Sequence, residues 1–161
     1  MSARSRGYSL LEVMIAVAVV GVVSAVAFPR LDELSRRSHF NGATRRLVGT
    51  LRESRAMAIA RQDVAGVRAE QVGIRVDSPT QYTQFMDPDT DSANDNDVVL
   101  RVVNVLAIDR AQGFRIVSPP GTVIRFRRDG STTATTLDLA DDYSVQTRTI
   151  RLTAGGQTSI N

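Results

Sequence analysis

The chain of 161 residues has no cysteine, no tryptophan, no lysine and a single histidine. Without cysteine there is no disulfide and no thiolate chemistry. His39 has no cysteine or second histidine to complete a metal site; beside Arg36 and Arg37 on a charged helical segment, it reads as a solvated helix residue. No Gly-x-Ser-x-Gly elbow and no phosphate-cradling glycine loop occurs, so no catalytic residue is assigned and an enzyme is not expected. Aromatic residues make up 5% of the chain, and apart from Phe126 between Arg125 and Arg127 they do not interleave with the basic ones, which leaves little sign of base stacking. All 20 basic residues are arginine, set against 17 acids, for a formal net charge of +3. No mechanism attaches to the missing lysine. Internal repeats and low-complexity linkers are also absent.

What the chain does have is one long apolar run. Arg4-Ser5-Arg6-Gly7 precedes Tyr8-Ser9-Leu10-Leu11-Glu12, and apolar residues continue to Phe28. As a helix, Tyr8 to Phe28 would rise about 31 Å, enough to cross the hydrocarbon core of a bilayer. Glu12 interrupts it. A carboxylate in a spanning helix costs about 3 kcal/mol on insertion scales, so it is expected to serve a function and to meet a cation.

This segment resembles the N-terminus of type IV pilins and pseudopilins, with Gly7 before the cut, Tyr8 as the new first residue and Glu12 five residues after Gly7. The resemblance implies that prepilin peptidase cleaves after Gly7 and N-methylates Tyr8, where the family usually carries phenylalanine. It also implies that Glu12 neutralises the α-amine of a neighbouring subunit during filament assembly. Physically, two charges that are each costly in lipid become tolerable as a pair. Pro29 stands where pilins commonly carry a helix-kinking proline. Because the family's terminal cap subunit typically lacks the acid, Glu12 points to a place below the extreme tip.

Three other readings compete: a buried core helix, a simple membrane anchor, and a secretory signal cut after Ala25-Val26-Ala27 to release a soluble domain starting at Phe28. The last leaves Gly7 and Glu12 unexplained. Charge alone would orient the chain the other way, since two leader arginines are outnumbered by Arg30, Arg36, Arg37, Arg45 and Arg46 after the span. Export therefore rests on the pilin or secretory signal.

After Pro29 the pattern becomes amphipathic. Phe40, Ala43, Leu47, Leu51, Ser54 and Ala58 recur every three or four residues, while Arg45, Arg46, Arg52, Arg55 and Arg61 project elsewhere. The stretch from Leu51 to Arg61 is similar to the closing half of the long helix in the GspH/FimT family of minor pseudopilins and minor pilins. Many major pilins close a C-terminal loop with a disulfide, which this chain cannot do.

From Val72 onward the period shortens, with β-rich runs at 72–76, 81–86, 98–108, 114–117, 122–127, 135–139 and 145–153. Pro119-Pro120-Gly121, Asp129-Gly130 and Gly155-Gly156 separate them as turns. The expected fold is α+β and pilin-like: a long N-terminal helix, membrane-spanning in its first half, packed in its second half against a C-terminal antiparallel sheet. The expected divisions are a leader over 1–7, a transmembrane assembly helix over 8–28, the amphipathic half over 29–62 and a β-rich domain over 63–161.

Two further features bear on function. The stretch from Asp87 to Asp97 holds five acids; it reads first as a solvated hairpin loop and second as a Ca²⁺ site using Asp87, Asp89, Asp91 and Asp95. It lacks the glycine and closing glutamate of an EF-hand, and no other cofactor is expected. Arg125, Arg127, Arg128, Arg148 and Arg151 would contact DNA phosphates if the sheet gathered them, as in FimT-like receptors of natural transformation. The favoured function is a minor pilin or pseudopilin that primes or joins the tip of a type IV-like filament, in a type II secretion pseudopilus or a type IV pilus. Its expected partners are other minor and major pilins or pseudopilins, prepilin peptidase, the inner-membrane assembly platform and membrane lipid. Its expected place is the bacterial inner membrane, single-pass, with the C-terminal domain in the periplasm, before incorporation into the filament.

Overall fold

The computed structural model describes residues 9–61, 63–64, 66–89, 96–106, 113–143 and 146–161, with backbone alone at residues 26, 29, 64 and 67. Gly7, Tyr8, Asp91 and Asp95 therefore lie outside the described residues. The chain divides into two compact units, Met1–Arg37 and Ser38–Asn161. Helix α1, Leu10–Ala60, contributes to both and continues through residue 29.

In the first unit none of the described helix residues is buried. Leu10, Leu11, Val13, Met14, Val17, Val20 and Val22 are all exposed, and an apolar window long enough to cross a membrane has none of its residues buried. Beyond it the helix turns polar, with i,i+4 ion pairs from Arg36 to Asp32 (2.6 Å) and from Arg37 to Glu33 (3.6 Å).

In the second unit the helix has an inside. Phe40, Ala43, Leu47, Leu51, Ser54 and Ala58 are buried, while Arg45, Arg46 and Arg52 are exposed. The helix stops where Arg61 adopts φ 50° and its N–H bonds back to the Ala58 carbonyl, a left-handed cap. A two-stranded ladder follows, β1 (Asp63–Val64) with β2 (Val67–Arg68).

The remaining strands form two four-stranded antiparallel sheets rather than the single sheet expected. The first has the order β5-β4-β3-β7, built from Val98–Asn104, Gln81–Asp87, Gln71–Ser78 and Val123–Arg127. The second has the order β10-β9-β8-β6, from Thr158–Ile160, Thr147–Leu152, Thr135–Asp141 and Phe114–Ile116. They separate after the Asp129-Gly130 turn. Among the described residues a single bridge, Phe126 with Thr132, continues β7 sideways, and the Thr132 N–H then bonds to the Ala154 carbonyl on the other sheet's side.

Two sheets suit the helix because its apolar stripe is wide. Val72, Ile74, Tyr82, Met86, Ile124 and Phe126 from the first sheet and Phe114, Ile116, Leu137, Leu139, Ile150 and Leu152 from the second join the helix residues in one core. Phe40 and Phe114 meet at the helix end of it, ring centroids 5.8 Å apart.

Candidate functional site

Glu12 lies in the first turn of α1, on a helix end whose apolar neighbours Leu11, Val13 and Met14 are 51–66% exposed. Among the described residues nothing buries this surface. A carboxylate in the first turn is favourably placed with respect to the helix dipole, but that does not account for the apolar surface around it. The helix continues through Pro29, whose missing N–H costs one backbone bond there.

The second half of the helix is tied to its sheets by polar groups as well as by the core. Gln84 on β4 donates to the Ser54 hydroxyl (3.0 Å) and accepts from Arg101 (3.1 Å), which also pairs with Glu53 (2.9 Å). The Thr50 and Tyr82 hydroxyls lie 3.3 Å apart. A network with Gln84, Ser54, Thr50 and Tyr82 buried and Arg101 with Glu53 at its half-exposed rim fixes how the helix registers on the strands. On the other flank, Arg55 donates to the carbonyls of Gly130 (3.1 Å) and Gly155 (3.0 Å). Spacing alone would leave Arg55 in solvent; it is a clamp from the helix onto two turns of the sheets.

The face of the first sheet turned away from the helix is polar, and two residues that sequence assigns to different ligands meet there. Strand alternation and register put Asp87, Phe85 and Thr83 of β4, Gln71, Gly73 and Arg75 of β3, and Arg125 and Arg127 of β7 on this face. Arg125 passes over Gly73, which has no side chain to obstruct it, and stacks on the Phe85 ring at 5.2 Å from the centroid. Its guanidinium lies 3.4 Å from the Asp87 carboxylate, with the two side chains 14% and 0% exposed. Arg75 completes the cluster, 3.2 Å from Asp77 and 3.7 Å from Asp97. Burial pushes the Asp87 carboxyl above the usual carboxylate range, and the nearby acids Asp89 and Asp97 push the same way; the Asp89 N–H and Arg125 pull it back.

For the calcium reading, Asp87 thus faces an arginine and Asp89 accepts a hydrogen bond from Asn96. Among the described residues no three His, Cys, Asp or Glu side chains converge as a metal set, and Asp91 and Asp95 are outside them. The five arginines are spread over separate surfaces. Arg125 is engaged as above, and Arg128 pairs with Glu70. Arg148 shares a face of β9 with Ile150 and Leu152, whereas Arg151 points the other way. Arg127 shares a face of β7 and a hollow with Arg125, while Arg151 borders a second hollow, so the five do not gather into one patch.

Gly73 is the sequence signal that could have located this face. A glycine inside a strand marks close backbone approach, and a methyl there would overlap the Ile124 carbonyl of β7.

The family model described as Type II transport protein GspH matches residues 43–156, and the one described as prokaryotic N-terminal methylation motif matches residues 2–28. Comparison with curated proteins and with solved structures gives no match. The first match takes in the buried half of α1 and all strands except β10; the second takes in the apolar helix with its acid. Such subunits assemble with other pilins or pseudopilins after processing by prepilin peptidase. An exposed apolar helix carrying a methylation motif, joined in sequence to a helix-and-sheet domain that the GspH model covers, makes this chain a member of the GspH family, a structural subunit of pseudopilin type.

Proposed function

We propose that the protein is a minor pseudopilin or minor pilin that primes a type IV-like filament or sits near its tip, below the terminal cap. Prepilin peptidase removes residues 1–7 at Gly7 and methylates Tyr8. The subunit then waits in the inner membrane with Ser38–Asn161 on the periplasmic side, and Glu12 pairs with the N-terminal amine of a neighbour as it leaves lipid. Residue 29 is a place where the helix gives during that transfer.

The observation that supports this reading is the start of α1: an apolar window long enough to span a membrane, with none of its residues buried, carrying one acid in the first turn. Lipid covers such a helix before assembly and other helices cover it afterwards. Bringing a carboxylate and an ammonium together removes the cost of holding each alone in an apolar medium.

Intact mass and N-terminal sequencing of the mature protein from its native membrane test the processing step. A methylated Tyr8 is expected; a chain starting at Phe28 would replace the filament subunit with a secreted domain. Glu12→Ala tests the pairing. The variant should be processed and inserted but absent from filaments, and its normal incorporation would refute the mechanism.

A further inference from the structure

We infer that a cavity beside β7 receives a carboxylate from the side chain of a neighbouring subunit. The cavity has a volume of about 240 Å³ and is lined by Gln71, Arg125, Arg127, Thr132, Thr133 and Thr135 among others, with no acid in its walls. It lies where β7 ends as a sheet edge and the chain returns alongside it after the Asp129-Gly130 turn.

Its polar groups are left over from the fold. Gln71 belongs to a residue only 5% exposed, yet its carboxamide has no hydrogen-bond partner among the described residues. The Thr132 hydroxyl, on a residue 4% exposed, likewise has none. Arg127 makes no ion pair among the described residues and acts on Asp129 only at longer range. Gln71 and Arg127 are direct cross-strand partners, so their side chains leave the sheet together on the same face. Arg125 also lines the wall, with its guanidinium already 3.4 Å from the Asp87 carboxylate.

Amide N–H, guanidinium N–H and threonine hydroxyls are donors; among the described residues the one acid in ion-pair contact with the set is Asp87, already engaged by Arg125, so Gln71 and Arg127 suit an added anionic acceptor. A carboxylate accepts up to about four hydrogen bonds and meets guanidinium in a planar fork. The depth of the site favours a protein side chain over a nucleic-acid backbone. Gln71 is almost fully buried and Arg125 is 14% exposed, so a ligand must reach in, as an aspartate or glutamate does and a duplex lying on the surface does not. A subunit that assembles with other subunits presents such side chains to its neighbours. The inference therefore rests on the subunit reading, while naming a contact that this reading does not contain.

Two measurements test it. The full-length protein in detergent micelles is titrated with N-acetylglutamate N-methylamide, and the Gln71 side-chain amide and Arg127 Nε resonances are followed. Saturable shifts are expected, weakened at least about tenfold by Arg127→Gln and absent with the glutamine analogue. Equal response to the glutamine analogue would show a solvated hollow and overturn the proposal. Saturation by inorganic phosphate but not by the glutamate analogue would overturn it too, in favour of a phosphate contact. In cells, Arg127→Glu should be cleaved and inserted normally but enter filaments at least about tenfold less; undiminished entry overturns the proposal. The Glu12→Ala result is independent of all of these, so failure of the pairing mechanism and failure of the cavity contact are told apart.

Discussion

One helix runs from Leu10 to Ala60, but its two halves are helical for different reasons. The first half is apolar on every side and has no tertiary partner among the described residues of its unit; its backbone bonds are made internally, as a span in lipid requires. The second half has one apolar stripe and a solvent face, and two sheets cover the stripe. A side chain in the first half is thus free of any role in folding the domain and available to lipid or to another subunit. One in the second half belongs to the domain core, and the two kinds of substitution should separate cleanly.

The largest effect should come from Leu51→Ala. Leu51 is fully buried between helix and sheets, so the truncation should cost about 2–5 kcal/mol in thermal unfolding of the full-length protein in micelles. The same truncation at Val20, which is 63% exposed, should leave the β-sheet transition within about 0.5 kcal/mol of the parent. A comparable loss at Val20 would break the comparison, because it would mean that the first half is packed against the domain.

Next in size is Gly156→Ala. Gly156 has φ 73°, and a methyl there would overlap the Gly130 carbonyl oxygen, the acceptor of the Arg55 clamp. Left-handed strain at a non-glycine residue costs about 1–3 kcal/mol. The loss should be seen in the same unfolding transition, and it should shrink in an Arg55→Ala background if the damage passes through the clamp.

Much of this was legible in the chain. A 3.6-residue period places Phe40, Ala43, Leu47, Leu51, Ser54 and Ala58 on an inward stripe, and all are buried. Turn chemistry at Pro119-Pro120-Gly121, Asp129-Gly130 and Gly155-Gly156 matches positive φ at Gly121, Gly130 and Gly156. The division into two sheets was not legible, because alternation says which residues of a strand share a face but not which strand lies beside it. The ladders at Asp63–Arg68 and at β10 are too short to show a period. The Asp87 and Arg125 pair escaped for the same reason: it joins β4 to β7 across β3 within one sheet, so each residue alone looks like a site for an outside ligand. The cavity beside β7 is also invisible in sequence, since its walls come from β3, β7 and the chain beyond the turn.

A pH series sharpens the contrast within the second unit, between its apolar core and its polar outer face. Asp87 has a folded pKa above the usual carboxylate range, so the folded chain holds that proton more tightly than the unfolded chain. Its contribution to stability is complete in acid, below the unfolded value, and is lost as pH rises through the raised folded value. Asp87→Asn stays neutral throughout. Its stability relative to the parent should therefore improve as pH rises from the ordinary carboxylate range through the raised value, even if the lost pairing with Arg125 makes it less stable overall. Parallel pH profiles for the two proteins would remove burial as the dominant influence on this carboxyl.

The smallest expected effect lies on the solvent face of the second half. Gly42 is exposed within the helix, and a methyl added there would meet nothing within 4 Å. Glycine costs a helix interior about 1 kcal/mol relative to alanine, because the unfolded chain has more backbone freedom to lose. In an isolated subunit Gly42→Ala should therefore raise stability by up to about 1 kcal/mol. The variant also probes the comparison between the halves at its weakest point. If the solvent face of the second half stays uncovered in the filament, Gly42→Ala subunits should be incorporated as readily as the parent. If they gain stability alone but enter filaments less well, the bare backbone at Gly42 makes room for a neighbouring subunit, and the second half of the helix, like the first, presents a surface that only assembly covers.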